Sequence, residues 1–192
     1  YHVIEDGEKV GVVFTDGTEA SVVVEGGDKY ADIAILSYAT SKEIQVTPFG
    51  VDTSLFKKTE SADSINGFVV GNVKTLAPKY GIDVLIKAFK VVVDRNYNLP
   101  LKLIIVGDGP NRLEYMNLVS SLGIDDKVEF KGKIPNNQLP DIYNSFSVSV
   151  SVSNSESFGV VAVEAMACEC PVVTSDADGF TEVVEDGVTG FI

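Results

Sequence analysis

Histidine is nearly missing from the 192 residues: His2 is the single one, close to where the chain begins. Acid–base chemistry centred on an imidazole therefore has little to work with. Tryptophan is absent, and cysteine occurs only as Cys168 and Cys170. That spacing fits neither a C-x-x-C redox pair nor a four-ligand zinc site, so reduced core thiols are expected and no metal site is assigned. Basic residues are also scarce. Fifteen Lys and Arg against 28 Asp and Glu give a formal net charge of -13, which repels polyanions and argues against a nucleic-acid-binding surface. A phosphate ligand would need positive charge supplied locally. Apolar runs are broken every few positions by Lys, Asp or Gly; none reaches the ~18 residues of a membrane-crossing helix.

What is present is a hydrophobic content of 45%, enough for one sizeable α/β core and a smaller appended piece. From Asn66 onward two textures alternate. Short β-rich runs at 68–73, 101–106, 128–130, 147–152 and 171–174 are separated by stretches with helical spacing. In 82–94, Leu85, Ile86, Phe89 and Val93 form one apolar stripe, with Asp83 as the expected N-cap after Gly81. Strand–helix–strand repeats with short connections predict a doubly wound parallel sheet of Rossmann-like type, whose ligands bind at the carboxyl ends of the strands.

Residues 1–45 read differently. Val10 to Phe14, a turn at Asp16-Gly17 and Ser21 to Val24 predict a β-hairpin, with a further strand over Ala31 to Ser37. Pro48 and Gly50 mark a turn-rich connector over 46–58, which divides a small β-rich N-terminal region from an α/β domain over 59–192. The chain starts at Tyr1 and stops at Phe191-Ile192 just after a turn, so a piece of a longer protein is expected. In SFSVSVSVSNS, 145–155, Ser and Val alternate with the period of a strand that has one polar face.

Two stretches carry candidate chemistry. Gly107-Asp108-Gly109-Pro110 follows a strand and precedes a helix, but the last position of a G-x-G-x-x-G pattern is Arg112. A dinucleotide site fails there, and a tight turn beside a ligand is the alternative to a purely structural turn. The second stretch is SNSESFGVVAVEAMACECPVV, 153–173, in which Glu164 sits in an otherwise small and apolar run. With a helix beginning at Ser157 or Phe158, Glu156 lies in the loop at a strand's carboxyl end and Glu164 about two turns inside. The first amides of that helix, at Phe158, Gly159 and Val160, would form an anion site, and Gly159 lets a phosphate come close to the backbone. A buried ionised Glu164 needs a ligand diol, a protein donor or an ion-pair partner.

ESFGVVAVEAMACECPVV, with the later GFTEVVEDGVTGFI, resembles the E-x7-E motif and closing segment of the retaining glycosyltransferases of family 4, the group 1 type, with the GT-B fold of two Rossmann-like domains. FVVGNVKTLAPKYGIDVLIKAF, LKLIIVGDGP and VEFKGKIP are similar to that family's other donor-domain segments, in the right order. The resemblance covers about 46–192 and implies a nucleotide-diphosphate sugar as donor substrate, with no further cofactor. It places Glu156 against the donor sugar as the catalytic residue, Glu164 on the ribose hydroxyls, and the amides of Phe158, Gly159 and Val160 on the sugar or diphosphate. The turn holding Gly109, and the backbone at Lys133 and Ile134, would border the nucleobase. Where relatives carry an Arg and a Lys for the diphosphate, this chain has Lys74 or Thr75, and Tyr80 preceded by Lys79; Lys74 and Lys79 are the candidate cations.

The resemblance implies transfer of a sugar, with retention, to a glycan or lipid-linked acceptor held by an N-terminal domain of which 1–45 is only a fragment. ADIAILSYATSKEIQVTPFGVD looks like that domain's last strand and crossover, and the final helices after the GFI segment are missing. Such an enzyme is cytoplasmic or peripheral at the inner membrane face. The rival reading is a catalytically silent nucleotide-binding or scaffold domain of the same fold. A nucleotide-sugar epimerase or phosphatase is weaker, because no further acid and base groups are found.

Overall fold

The computed structural model describes residues 10–13, 19–28, 33–37, 50–59, 67–95 and 98–192. The chain divides into two compact units, Tyr1–Pro48 and Phe49–Ile192. In the first unit β1 (Val10–Val13), β2 (Glu19–Asp28) and β3 (Ile33–Ser37) form an antiparallel sheet in that order. The predicted hairpin pairs Val10 with Val22, and β2 shifts register between Val24 and Gly26 and continues past its valine-rich segment to Asp28. The Asp16-Gly17 turn lies outside the described residues.

The second unit is a five-stranded, wholly parallel sheet in the order β6-β5-β4-β7-β8. Its strands are β4 (Phe68–Val73), β5 (Leu101–Val106), β6 (Val128–Gly132), β7 (Val148–Ser151) and β8 (Val172–Thr174). Helices α1 (Ile82–Arg95) and α2 (Arg112–Ser121) cover one face. The other face takes α3 (Leu139–Asn144), α4 (Val160–Ala167) and α5 (Asp178–Thr181). The chain winds outward from β4 through β5 to β6, then returns to place β7 on the other side of β4. That reversal opens a crevice at the carboxyl ends of β4 and β7, the position where doubly wound sheets bind ligands.

The crevice has a local cause. β4 and β7 pair only at Val70↔Val148 and Gly71↔Ser149; above this the Asn72 side chain, 1% exposed, donates to the Val150 carbonyl at 2.8 Å. A side-chain amide thus replaces the next rung of the ladder as the strands separate. Gly71 is obligatory because a Cβ there would lie 2.0 Å from the Phe146 ring.

The faces differ in composition. Under α1 and α2 the core is Leu76, Ile82, Leu85, Ile86, Phe89, Leu103, Ile105 and their neighbours, and it includes the whole stripe expected for α1. Each such side chain, fully buried, contributes about 1.5–3 kcal/mol. Under α3 and α4 the buried set also contains Glu164, Asn144, Ser149, Ser151, Ser153 and Thr174.

Two expectations are corrected and one is refined. The alternating Ser–Val strand has its serines on one face, as expected, and that face is interior: β7 is internal, Val150 and Val152 pack toward the α1–α2 layer, and Ser149 and Ser151 are buried. Alternation reports two environments, not exposure, when both faces of a strand are covered. Asp83 is not the N-cap of α1. It lies within the first turn and accepts a hydrogen bond from Lys87 at 2.8 Å. The connector at 46–58 ends inside the second unit, since Phe56 is 3% exposed with its ring 6.2 Å from that of Tyr143. An aromatic side chain gains too much from burial to stay in a solvated linker.

Candidate functional site

β4 runs directly into Lys74, and β7 into the loop that carries Ser153 and Glu156. Across the crevice the Lys74 ammonium donates to Glu156 Oε2, with the two side chains only 11% and 12% exposed. Ser153 Oγ, 3.4 Å from the same oxygen, is a second and more distant donor. Tyr80, from the turn before α1, presents its ring to two cations: Lys74 Nζ lies 4.7 Å and Lys79 Nζ 4.9 Å from the centroid. Ammonium groups at that distance are attracted by the negative ring face. Tyr80 stands where the resemblance predicted a lysine, and it gathers the two neighbouring lysines instead.

The cleft beside this pair has a volume of about 260 Å³ and is lined by Lys74, Thr75, Tyr80, Gly107, Lys133, Ile134 and Val161, among others. Lys74 and Ile134 are therefore brought together, while Lys79 is not among the lining residues and lies against the Tyr80 ring. The glycine turn contributes Gly107, not Gly109. Gly107 has φ 131, and a Cβ on it would lie 2.0 Å from the Lys74 carbonyl oxygen; one on Gly109 would lie 2.4 Å from that of Leu76. Both glycines let the turn press against the end of β4, and only the first reaches the cleft.

α4 begins at Val160, later than predicted, with Gly159 as its N-cap in the left-handed region at φ 83. Ala162 N already donates to the Gly159 carbonyl at 2.9 Å, so the open end of the helix is carried by Val160 and Val161. Val161 lines the cleft. Two glycines of different segments hold this start in place. A Cβ on Gly159 would sit 2.7 Å from the Phe180 ring, and one on Gly179 would sit 2.5 Å from the Phe158 nitrogen. Gly179 N also donates to the Glu156 carbonyl at 3.1 Å.

Glu164, 6% exposed, has two protein donors: Tyr143 OH to Oε2 at 2.8 Å and Asn136 Nδ2 to Oε1 at 3.3 Å. Of the partners considered from sequence, neutral donors are the ones present, and among the described residues no cation is in hydrogen-bond contact with it. Burial pushes the carboxyl above its ordinary range; the bonds from Tyr143 and Asn136 and the charge of Lys74 pull the other way. The Tyr143 phenol is driven well above 10, first by burial and then by Glu164. Each carboxylate oxygen retains a lone pair beyond its single donor.

Tyr143, Asn136 and Ser153 went unrecognised in the sequence. Tyr143 did leave a trace, because a tyrosine four residues after Leu139 on an apolar stripe must find a partner for its hydroxyl. Cys168 and Cys170 are buried free thiols, each raised to about 11 by burial. Among the described residues no cluster of His, Cys, Asp and Glu is arranged to hold a metal ion, and no helix is long and apolar enough to cross a membrane. A larger groove, about 530 Å³, runs between α1 and α2 past Asp83, Glu114 and Tyr115, and holds none of the expected site residues.

Comparison with known proteins agrees with this geometry. Over 170 residues the chain is 34% identical to D-inositol 3-phosphate glycosyltransferase of Acidothermus cellulolyticus, covering 80% of this chain and 38% of that protein. The capsular polysaccharide biosynthesis glycosyltransferase CapM of Staphylococcus aureus is 27% identical over 192 residues, 94% of this chain and 47% of its own length. The chain thus spans less than half of these curated relatives. Among solved structures, Anabaena Alr3699/HepE in complex with UDP and glucose superposes with a TM-score of 0.64 at 31% identity, over 74% of this chain and 41% of that one. The C-terminal domain of the group 1 protein LpcC from Francisella tularensis gives 0.65 at 25% identity, covering 74% and 78%. These superpositions make the second unit a Rossmann-like domain of the GT-B type. With the family model matching residues 56–192, the chain belongs to the glycosyl transferases of group 1.

Proposed function

We propose that this chain is the donor-binding part of an enzyme that transfers a sugar from a nucleotide-diphosphate sugar to a glycan or lipid-linked acceptor. The observation that carries the reading is the Lys74–Glu156 pair at the crevice between β4 and β7, beside the start of α4. The diphosphate lies against Lys74 and the first amides of α4, where a helix start and a partly desolvated cation together favour an anion. Glu156 accepts from a hydroxyl of the sugar, and Glu164, already oriented by Tyr143 and Asn136, accepts from the ribose. Ile134 and Gly107 border the base.

As the bond between the sugar and the diphosphate breaks, negative charge grows on the leaving group and cationic character on the sugar. Lys74 and the helix start stabilise the first. No residue here is assigned as a nucleophile, and the finer placement in family 4, with retention of configuration, belongs to this proposal. The acceptor is supplied by a domain lying largely outside this sequence, so the 192-residue chain is expected to bind donor nucleotide weakly and turn over slowly or not at all. The parent enzyme works in the cytoplasm or at the inner membrane face.

Calorimetric titration with UDP, GDP, ADP and CMP, repeated with Glu164→Gln, tests the reading. Saturable binding of one nucleotide that the substitution weakens supports it and names the base. Absence of binding, with a less stable variant, assigns Glu164 to the scaffold and the domain to a silent role.

A further inference from the structure

Lys74, the cation best placed for a diphosphate, already has a carboxylate partner. Glu156 holds it at hydrogen-bond contact, with both side chains nearly nine-tenths buried. A diphosphate that reaches the ammonium competes with Glu156 for it, because two anionic groups close together in a poorly solvated crevice repel each other. We propose that Glu156 is a specificity-determining residue that makes the site select an intact nucleotide sugar over the spent nucleoside diphosphate. This rests on the donor-site reading above.

The selection follows from what each ligand leaves behind. When a diphosphate takes Lys74, Glu156 loses its cation and falls back on neutral donors such as Ser153 Oγ, at the long distance of 3.4 Å. A largely buried carboxylate stripped of its cation is strongly unfavourable. A nucleoside diphosphate alone spends its ribose hydroxyls at Glu164 and has no hydroxyl beyond the diphosphate to give Glu156 a donor. A nucleotide sugar brings hydroxyls on its anomeric side, and one of them can donate to Glu156 as the diphosphate accepts from Lys74, so both halves of the pair are replaced together. The Tyr80 ring, 4.7 Å from Lys74 Nζ, keeps the ammonium at the crevice during this exchange. After transfer the sugar is gone, Glu156 again lacks a donor, and its return to Lys74 drives the nucleoside diphosphate out.

The ion pair therefore makes the free site a poor binder of its own product. The glutamine variant isolates this effect. Glu156→Gln retains the shape and loses the charge, so a diphosphate no longer competes with an anion for Lys74.

The test measures the affinities of UDP with UDP-glucose, GDP with GDP-mannose and ADP with ADP-glucose for the 192-residue chain and for Glu156→Gln, by calorimetry. For the base that binds, the parent chain should prefer the nucleotide sugar by roughly tenfold, and the variant should bind the nucleoside diphosphate roughly tenfold more tightly than the parent does, bringing the preference near unity. Thermal melting reports whether the variant folds, and Glu156→Ser repeats the comparison if it does not. A parent chain that binds nucleotide while both variants bind the nucleoside diphosphate equally or less tightly overturns the selection role and leaves the donor-site reading standing. Failure of every ligand with parent and variants alike overturns both.

Discussion

The two helical layers of the second unit rest on one sheet and are built to different ends. Beneath α1 and α2 lie close-packed aliphatic and aromatic side chains with one buried amide, Asn72; beneath α3 and α4 the core admits an acid, an asparagine and a row of hydroxyls. The first layer maximises burial of apolar surface, while the second gives up part of that gain to hold polar groups beside the crevice. On the proposed donor-site reading, stability and recognition are divided between the faces, and substitutions should separate them.

The largest effect is expected in the apolar layer. Phe89→Ala removes a side chain 2% exposed and should lower the unfolding free energy by about 3–5 kcal/mol, read by denaturant titration, with nucleotide affinity unchanged at temperatures where the variant is folded. Loss of affinity in a still-folded variant would break the proposed division of labour. In the polar layer, Tyr143→Phe removes the 2.8 Å donor to Glu164 and should be destabilising by roughly 1–3 kcal/mol, because a buried acceptor is left with only its longer bond. Unlike the phenylalanine change, it should weaken nucleotide binding as well.

Glu164 sharpens the contrast through pH. Burial raises its carboxyl above the ordinary value of 4.5, so the folded chain holds this proton more tightly than the unfolded chain. Its contribution to stability is fully present below 4.5 and is lost as pH rises through the raised folded value. Denaturation of the parent and of Glu164→Gln across that range should therefore show the variant gaining relative stability toward neutral pH. A difference independent of pH would mean that Glu164 titrates alike in both states. The smallest effect is expected outside both layers. Lys102 and Glu129 pair with each side chain 38% exposed, and Lys102→Met should change stability by no more than about 0.5 kcal/mol and leave binding untouched.

The apolar layer was also the more legible in sequence. The α1 stripe of Leu85, Ile86, Phe89 and Val93 is read from spacing alone, because a helix on an apolar sheet displays its period openly. The strands of the parallel sheet were found where valine and isoleucine cluster, β4 and β5 with the expected ends and β6, β7 and β8 with ends displaced by a residue or two. In the polar layer the same reasoning found the serine face of β7 but not its environment, which is interior. At the site, Glu164 stood out because a charge in an apolar run violates the local pattern, and Glu156 because it falls in the loop at a strand's carboxyl end. Tyr143 and Asn136 did not, since their pairing with Glu164 depends on how α3 and the turn before it pack on α4. Contacts across elements distant in sequence leave little mark on either partner alone.

One such contact bears on how this protein can change over generations or in an engineer's hands. Gly179 rests on the backbone of Glu156 to Phe158, and Phe180 on Gly159, so the closing segment is the mould in which the acidic loop is cast. A lineage that altered one segment would have to alter the other in step. A transplant of the acidic motif into a foreign Rossmann-like domain would carry the letters of the site without its shape unless the later glycine and phenylalanine travelled with it.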